Sequence, residues 1–239
     1  QYGAGKPASI RMSDGTQIGV DGPKSDGSWR VSFHRENGRW KRGPMPGGGL
    51  RKKHGLQGPI DDAFLDRFLF VRPTGTSNNE KVAAWVKAEG DRAVRRWRTQ
   101  MRGDAIVKDD KDVTEADIAS SHLILWGDAE SNSLIKELAR KLPIHWDGDS
   151  VKVGEKSYPA ADHVPILIHP NPLNPDKYVV LNSGFTYREY DDLNNARQVP
   201  KLPDWAIVDV RTPPNSRYPG KIIDADFFDE SWKLKAKRD

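Results

Sequence analysis

Residues 68–75 read Phe-Leu-Phe-Val-Arg-Pro-Thr-Gly, four apolar residues in a row closed by a charge, a proline and a glycine. A run this short, cut off by breakers, is the pattern of a strand buried on both faces. Downstream, Val82, Trp85, Val86, Ala93, Val94, Trp97 and Met101 recur at helical spacing and predict a long helix over 79–102, with Gly90 as its weak spot. Ala105-Ile106-Val107 predicts the next strand. Thr114 with Asp117 three residues on is a capping-box pattern that opens a short helix. His122-Leu123-Ile124-Leu125-Trp126 predicts a third strand, stopped by Gly127-Asp128. Ser131 or Asn132 then caps a helix carrying Leu134, Ile135, Leu138, Ala139 and Leu142. A hairpin-like stretch follows at 151–154. Two more apolar strands are expected at 164–168 and 178–181, joined by a Pro/Asn-rich segment, and one further strand with a terminal wrap over 205–210 and 222–228. Strands alternating with helices imply right-handed βαβ units, and strands apolar on both sides imply a doubly covered sheet. The expectation for residues 64–200 is an α/β fold, a flavodoxin-like or Rossmann-like three-layer sandwich with a mainly parallel sheet.

Upstream of residue 50 the pattern is β and turn. Ile10, Met12, Ile18 and Val20 alternate with polar residues around Ser13-Asp14-Gly15, and Trp29, Val31 and Phe33 alternate before the tight-turn pair Asn37-Gly38. The expectation is a small N-terminal antiparallel β layer ending in a Pro/Gly-rich connector at 43–49. The domain reading is therefore 1–50 for the β layer and connector, and 51–239 for the α/β domain with its wrap.

The 239 residues contain no cysteine, which excludes disulfides, thiolate metal sites and cysteine nucleophiles. No apolar stretch is long enough to span a bilayer, and no membrane partner is expected. The chain opens on Gln1 with no initiator methionine, which reads as a processed product, a proteolytic piece or an expressed piece of a protein. Its 38 basic and 34 acidic residues are well mixed. The basic clusters, at 51–53, at Arg92 with Arg95, Arg96 and Arg98, and at 233–238, read as solvated surface charge, not as a nucleic-acid face.

The chemistry the residues offer is sparse. No serine stands in a G-x-S-x-G context, so the nucleophile elbow of α/β-hydrolases is missing, and Ser183 before Gly184 reads as a loop serine. Neither nucleotide-binding glycine signature occurs. Ligands of open α/β sheets sit beyond the carboxyl ends of the strands. Those ends supply the candidate pocket residues Thr74, Thr76, Asp109, Gly127, Asp128, Asn132, Asn171 and Ser183, with Thr74 to Asn78 leading into a helix N-terminus. The same small polar residues are also ordinary caps. Asp109, Asp110 and Asp112, and Asp61, Asp62 and Asp66, follow no EF-hand spacing. His145, His163 and His169 follow no H-E-x-x-H spacing, so no metal and no cofactor is expected. Of the eight tryptophans, Trp29 and Trp40 in the β layer offer rings for sugar stacking, although packing explains them as well.

Several segments in order carry a resemblance. Residues 51–64 read RKKHGLQGPIDDAF and 68–75 read FLFVRPTG. Residues 123–132 read LILWGDAESN and 141–144 read KLPI. Residues 171–184 read NPLNPDKYVVLNSG and 195–209 read NARQVPKLPDWAIVD. This series, spanning roughly residues 50–230, is similar to the region that follows the catalytic domain in large bacterial α/β-hydrolases of the prolyl-oligopeptidase-like type, peptidases or esterases. The resemblance implies a parent whose preceding hydrolase domain supplies a Ser-Asp-His triad, and a periplasmic or extracellular bacterial setting. No catalytic residue carries over to this chain. The function implied is a non-catalytic accessory domain that packs on the hydrolase domain and shapes access of a peptide or carbohydrate substrate. His54, Asp61 and Asp62 are the candidate interdomain residues. The alternative is a flavodoxin-like module that binds a phosphate, nucleotide or sugar at the strand ends.

Overall fold

Asn37 and Gly38 both take positive φ, 49° and 78°. That pair of left-handed residues matches the twist of two antiparallel strands joined by a two-residue turn. It connects β3 (Phe33–Glu36) to β4 (Arg39–Arg42). A second hairpin, β1 (Ala8–Arg11) with β2 (Gln17–Val20), turns at Gly15. The computed structural model describes residues 5–44 and 48–236, so positions 45–47 of the expected connector and the end of the basic tail lie outside the described residues. The chain divides into two units, Gln1–Gly49 and Leu50–Asp239. Among the described residues of the first unit, Val20 is the one buried hydrophobic side chain.

The second unit is built on a seven-stranded sheet. In chain order its elements are β5 (Phe68–Arg72), α1 (Glu80–Met101), β6 (Val107–Asp109), α2 (Glu115–Ser120), β7 (His122–Leu125), α3 (Ser133–Leu138), β8 (His145–Trp146), β9 (Ser150–Val153), β10 (Lys156–Pro159), β11 (His163–Asn171), β12 (Asn174–Leu181), β13 (Trp205–Asp209) and β14 (Lys221–Asp226). The large sheet runs β14-β13-β11-β12-β7-β5-β6, and β8 to β10 form a separate antiparallel meander. β5 lies parallel to β6 and β7, and β7 parallel to β12. From there the sheet is antiparallel, β12 to β11, β11 to β13 and β13 to β14.

This corrects the expected fold class. The sheet is mixed, not mainly parallel, and the unit is predominantly β with one long helix, so it is not a flavodoxin-like or Rossmann-like three-layer sandwich. The cause is the connection at residues 172–173. Pro172 and Leu173 alone separate β11 from β12, whereas parallel neighbours need a crossover of a dozen or more residues. Asn171 Oδ1 accepts the Leu173 N–H at 2.9 Å and tightens the turn. All nine residues of β11 are buried. Burial on both faces therefore marks a central strand, whatever its direction. The long link from β12 to β13 holds only 3-10 turns, at Glu189–Leu193 and Asn195–Arg197, and Pro200 and Pro203 interrupt it.

α1 carries the apolar stripe its spacing predicts, burying Val82, Trp85, Val86 and Ala93. Its first free N–H groups, on Lys81 and Val82, are taken by Asn79 Oδ1 at 3.1 and 3.2 Å. Trp97 packs edge-on against Phe68 with centroids 4.6 Å apart, and Phe64 and Phe185 complete that aromatic cluster. The same helix buries charge. Arg188 bonds Glu89 through both terminal nitrogens at 2.7 and 2.9 Å, Arg92 bonds Glu189, and Arg96 bonds Asp192 at 2.6 and 2.7 Å. Arg92 and Arg96 are thus buried clamps on the 188–193 segment and not the solvated charge their cluster suggested.

Candidate functional site

The carboxyl ends of the parallel strands gather the loops expected there, and their polar groups are spent on one another. After β5, the Thr74 N–H donates to Asp110 at 3.0 Å, and the other oxygen of Asp110 accepts from the Ser133 N–H and hydroxyl at 2.7 and 2.6 Å. Partial burial pushes the Asp110 carboxyl up, but the Ser133 and Thr74 bonds outweigh it and hold the group below the usual carboxylate range. Asp109 accepts from Arg72 at 2.8 and 3.1 Å. Asp128 accepts from the Ser77 hydroxyl and from the Glu130 and Ser131 N–H groups.

After β7, Gly127 stands at φ 117°, which its lack of a Cβ permits. Its N–H and carbonyl are both held by the amide of Asn182, at 2.9 and 3.0 Å. Asn132 caps α3 through Oδ1 and donates Nδ2 to the Trp126 carbonyl at 2.9 Å. Ser183, just past β12, is buried and donates to its neighbour's carbonyl at 2.8 Å. Of the eight pocket candidates, Thr74, Thr76, Asp109, Gly127, Asp128, Asn132 and Ser183 lie at this end of the sheet. Asn171 does not. It ends β11, which runs the other way, and sits opposite the start of β12.

Between these loops and α1 lies a cleft of about 390 Å³, lined by Thr76, Gly127 and Asp128 together with Phe70 and Trp126. Such a position is where open sheets with parallel strands bind ligands.

The histidines are held by backbone. His163 Nδ1 lies 2.8 Å from the Pro159 carbonyl, and His169 lies between the carbonyls of Pro170 and Trp232. His122, which the sequence reading treated only as a strand residue, accepts the Tyr178 N–H at Nδ1 at 2.8 Å. Burial depresses its pKa to about 4, so the ring is neutral near pH 7. His145 is exposed. Among the described residues no three His, Asp or Glu side chains converge as a metal site, and no helix is long and apolar enough to cross a membrane. In the first unit, Trp29 donates its indole N–H to the Asp21 carbonyl at 2.7 Å and is partly exposed, and Trp40 is half-buried.

The candidate interdomain residues part company. His54 is exposed. Asp61 accepts from the Thr186 N–H at 2.9 Å and from its hydroxyl, and burial pushes its carboxyl up. Asp62 accepts from the Tyr178 hydroxyl at 2.5 Å, and that hydroxyl in turn accepts the Gly58 N–H at 3.0 Å. With the carboxylates so engaged, the adjoining surface is mostly apolar. Pro59, Phe64, Leu65, Met101, Phe185, Tyr187 and Pro200, with Asp61, Asp62 and Gln198, line a mostly apolar groove of about 330 Å³. Leu65 is 83% exposed and Met101 44%. Leu65 was not singled out from sequence, and Met101 was read only as part of the buried helical face. Met101 belongs to the helical stripe, but its place in the last turn of α1 leaves it uncovered.

The chain matches no family model, no curated protein and no solved structure.

Proposed function

We propose that this chain is a non-catalytic accessory domain of a multidomain α/β-hydrolase of the prolyl-oligopeptidase-like type, and that the groove beside residues 60–64 seats on the hydrolase domain of the same parent chain. The observation that carries the reading is the exposure of Leu65 and Met101 on one mostly apolar groove. Single exposed hydrophobic residues are ordinary, but a contiguous apolar patch signals a contact surface. The groove adjoins the 51–64 segment, one of those that carry the resemblance to the hydrolase accessory region. Asp61 and Asp62 support the reading by what they do not present, since both carboxylates are engaged by Thr186 and Tyr178.

In this reading the nucleophile belongs to the preceding domain. The test is to produce the polypeptide encoded upstream of Gln1 and titrate it with this chain by calorimetry. Binding is expected, and Leu65→Asp and Met101→Asp are each expected to weaken it about tenfold or more, as buried apolar anchors do, with an unchanged circular dichroism spectrum. No binding, or binding indifferent to both changes, overturns the proposal. So does turnover of chromogenic ester or aminopeptidase substrates by this chain that is lost in Ser183→Ala.

A further inference from the structure

Tyr190 and Tyr218 are 37% and 57% exposed, yet the backbone that carries them is fixed by hydrogen bonds. Asn215 Oδ1 accepts from the Arg217 and Tyr218 N–H groups at 2.8 and 3.1 Å and closes a turn ahead of β14. Arg188 pins that turn by donating its Nε–H to the Asn215 carbonyl at 2.8 Å, and the Tyr190 N–H donates to the Ser216 carbonyl at 3.0 Å. From α1, the Trp85 indole N–H donates to the Pro219 carbonyl at 2.5 Å. Arg217 lies over the Tyr190 ring, its guanidinium carbon 3.8 Å from the centroid. These two tyrosines and Arg217, with Lys201, Leu202 and Ile222, line a pocket of about 410 Å³, in the size range of small-molecule sites. It shares no lining residue with the groove at residues 59–65.

Two observations narrow the ligand. The first is charge. Lys201 Nζ lies 3.2 Å from Asp191, which also lines the pocket. Partial burial raises the Asp191 carboxyl, but the Arg188 N–H and Lys201 outweigh it and hold the group below the usual carboxylate range, so it is ionised near pH 7. The other acids of the segment, Glu189 and Asp192, are engaged by Arg92 and Arg96 of α1. Arg217 is left over: among the described residues its guanidinium has no hydrogen-bond or ion-pair partner, only the Tyr190 ring. Lying over that ring leaves its fork of N–H donors free for a carboxylate. The pocket is thus lined by two cations and one anion, which suits a single negative charge, whereas a doubly charged phosphate would be repelled by Asp191. The second observation is that Leu202, Pro203 and Ile222, beside the two tyrosines, give the rest of the lining a largely apolar character that suits a hydrocarbon ring.

We infer that this pocket binds a small aryl carboxylate, a monoanion whose carboxylate pairs with Arg217 and whose ring packs on Tyr218 and the apolar residues Leu202, Pro203 and Ile222. The turn at 215–218 is already closed and anchored, so little loop ordering opposes binding. The site stands without the docking role.

The test uses the full chain labelled with ¹⁵N, with the backbone amide resonances of Lys201, Arg217 and Tyr218 followed during titration. Phenylacetate is the probe. Phenylacetamide removes its charge, and inorganic phosphate removes its ring. A saturable shift is expected with phenylacetate, and binding about tenfold weaker or worse with each of the other two. Arg217→Gln is expected to weaken phenylacetate about tenfold, and Tyr218→Ala about fivefold. Both positions are exposed, so the circular dichroism spectrum is expected to stay unchanged. Leu65→Asp, in the separate groove, is expected to leave the affinity as it was. No saturable shift with phenylacetate, equal binding of phenylacetamide or of phosphate, an affinity unchanged in Arg217→Gln or in Tyr218→Ala, or a matching loss in Leu65→Asp overturns the inference.

Discussion

Gly127 and Gly90 border one cleft, yet a methyl group has opposite consequences at the two. At Gly127 the backbone is at φ 117°, and a Cβ would lie 2.7 Å from Ser131 Oγ and 3.2 Å from Pro73 Cβ. Gly127→Ala is therefore expected to destabilise by about 1–3 kcal/mol. Gly90→Ala, on regular helix with room for the methyl, is expected to stabilise by about 0.5–1 kcal/mol. Urea midpoints at constant slope measure both, and the same sign for the pair contradicts this account. His122 sets a pH dependence. Its folded pKa is about 4 against 6.5 in the unfolded chain, because burial, then Lys177, disfavours the charged ring, with Asp66 and Asp62 opposing. Above pH 6.5 both states are neutral and the ring contributes no slope. As pH falls from 6.5 to 4 the unfolded chain binds the proton first, so stability drops by up to roughly 3 kcal/mol and then levels off. His169, depressed by burial, acts in the same direction, while Asp61 and Asp204, both raised by burial, act in the opposite one. The comparison is therefore with His122→Asn, whose stability between pH 4 and 6.5 is expected to fall less steeply than that of the parent chain. Identical slopes would count against a neutral buried imidazole.

At the scale of elements, α1 is held to the 188–193 segment by charge, and the Glu89–Arg188 pair is its most buried part. Removing one partner strands the other in a low-dielectric site. Arg188→Met is expected to cost about 3–5 kcal/mol, and Glu89→Leu with Arg188→Met markedly less than the sum of the two single changes. A double-mutant cycle in denaturant measures this, and additivity within error denies the coupling. None of this network was readable beforehand, since the partners lie 99 positions apart and buried arginine on a helix looks, in sequence, like surface arginine. The elements themselves were legible where the local signal is strong. The stripe from Val82 to Trp97, the Thr114 capping box and the cap at Asn132 all depend on neighbours within a few residues, and each is present. Strand direction is a longer-range property. The runs at 164–168 and 178–181 were visible as strands, and the short Pro/Asn link between them was the clue that they form a hairpin. Reading alternation with helices across the whole chain let the β5-α1-β6 pattern override that local constraint, and Asn171 was placed at the wrong end of the sheet as a result.

For the molecule as a whole, the two units differ in what can hold them together. The core of the second unit is assembled from its own residues between Leu56 and Trp232, including the continuous buried strands β11 and β13. The first unit pairs β1 with β2 and β3 with β4, and among its described residues only Val20 and His34 are buried. Two-stranded hairpins are marginal in water, and a chain of this length with so little apolar burial lacks the free energy to offset its conformational entropy. The thermal transition of the full chain should accordingly be that of residues 50–239. A polypeptide of residues 50–239 alone is expected to unfold cooperatively within about 2–4 °C of the full chain, the shift that roughly 1 kcal/mol produces at this size. Residues 1–49 alone are expected to show no cooperative transition in calorimetry. A drop well beyond that interval on deleting residues 1–49, or a calorimetric peak from residues 1–49 by themselves, would show that the hairpins contribute a folding unit of their own or complete the larger one, and that the core between Leu56 and Trp232 is insufficient.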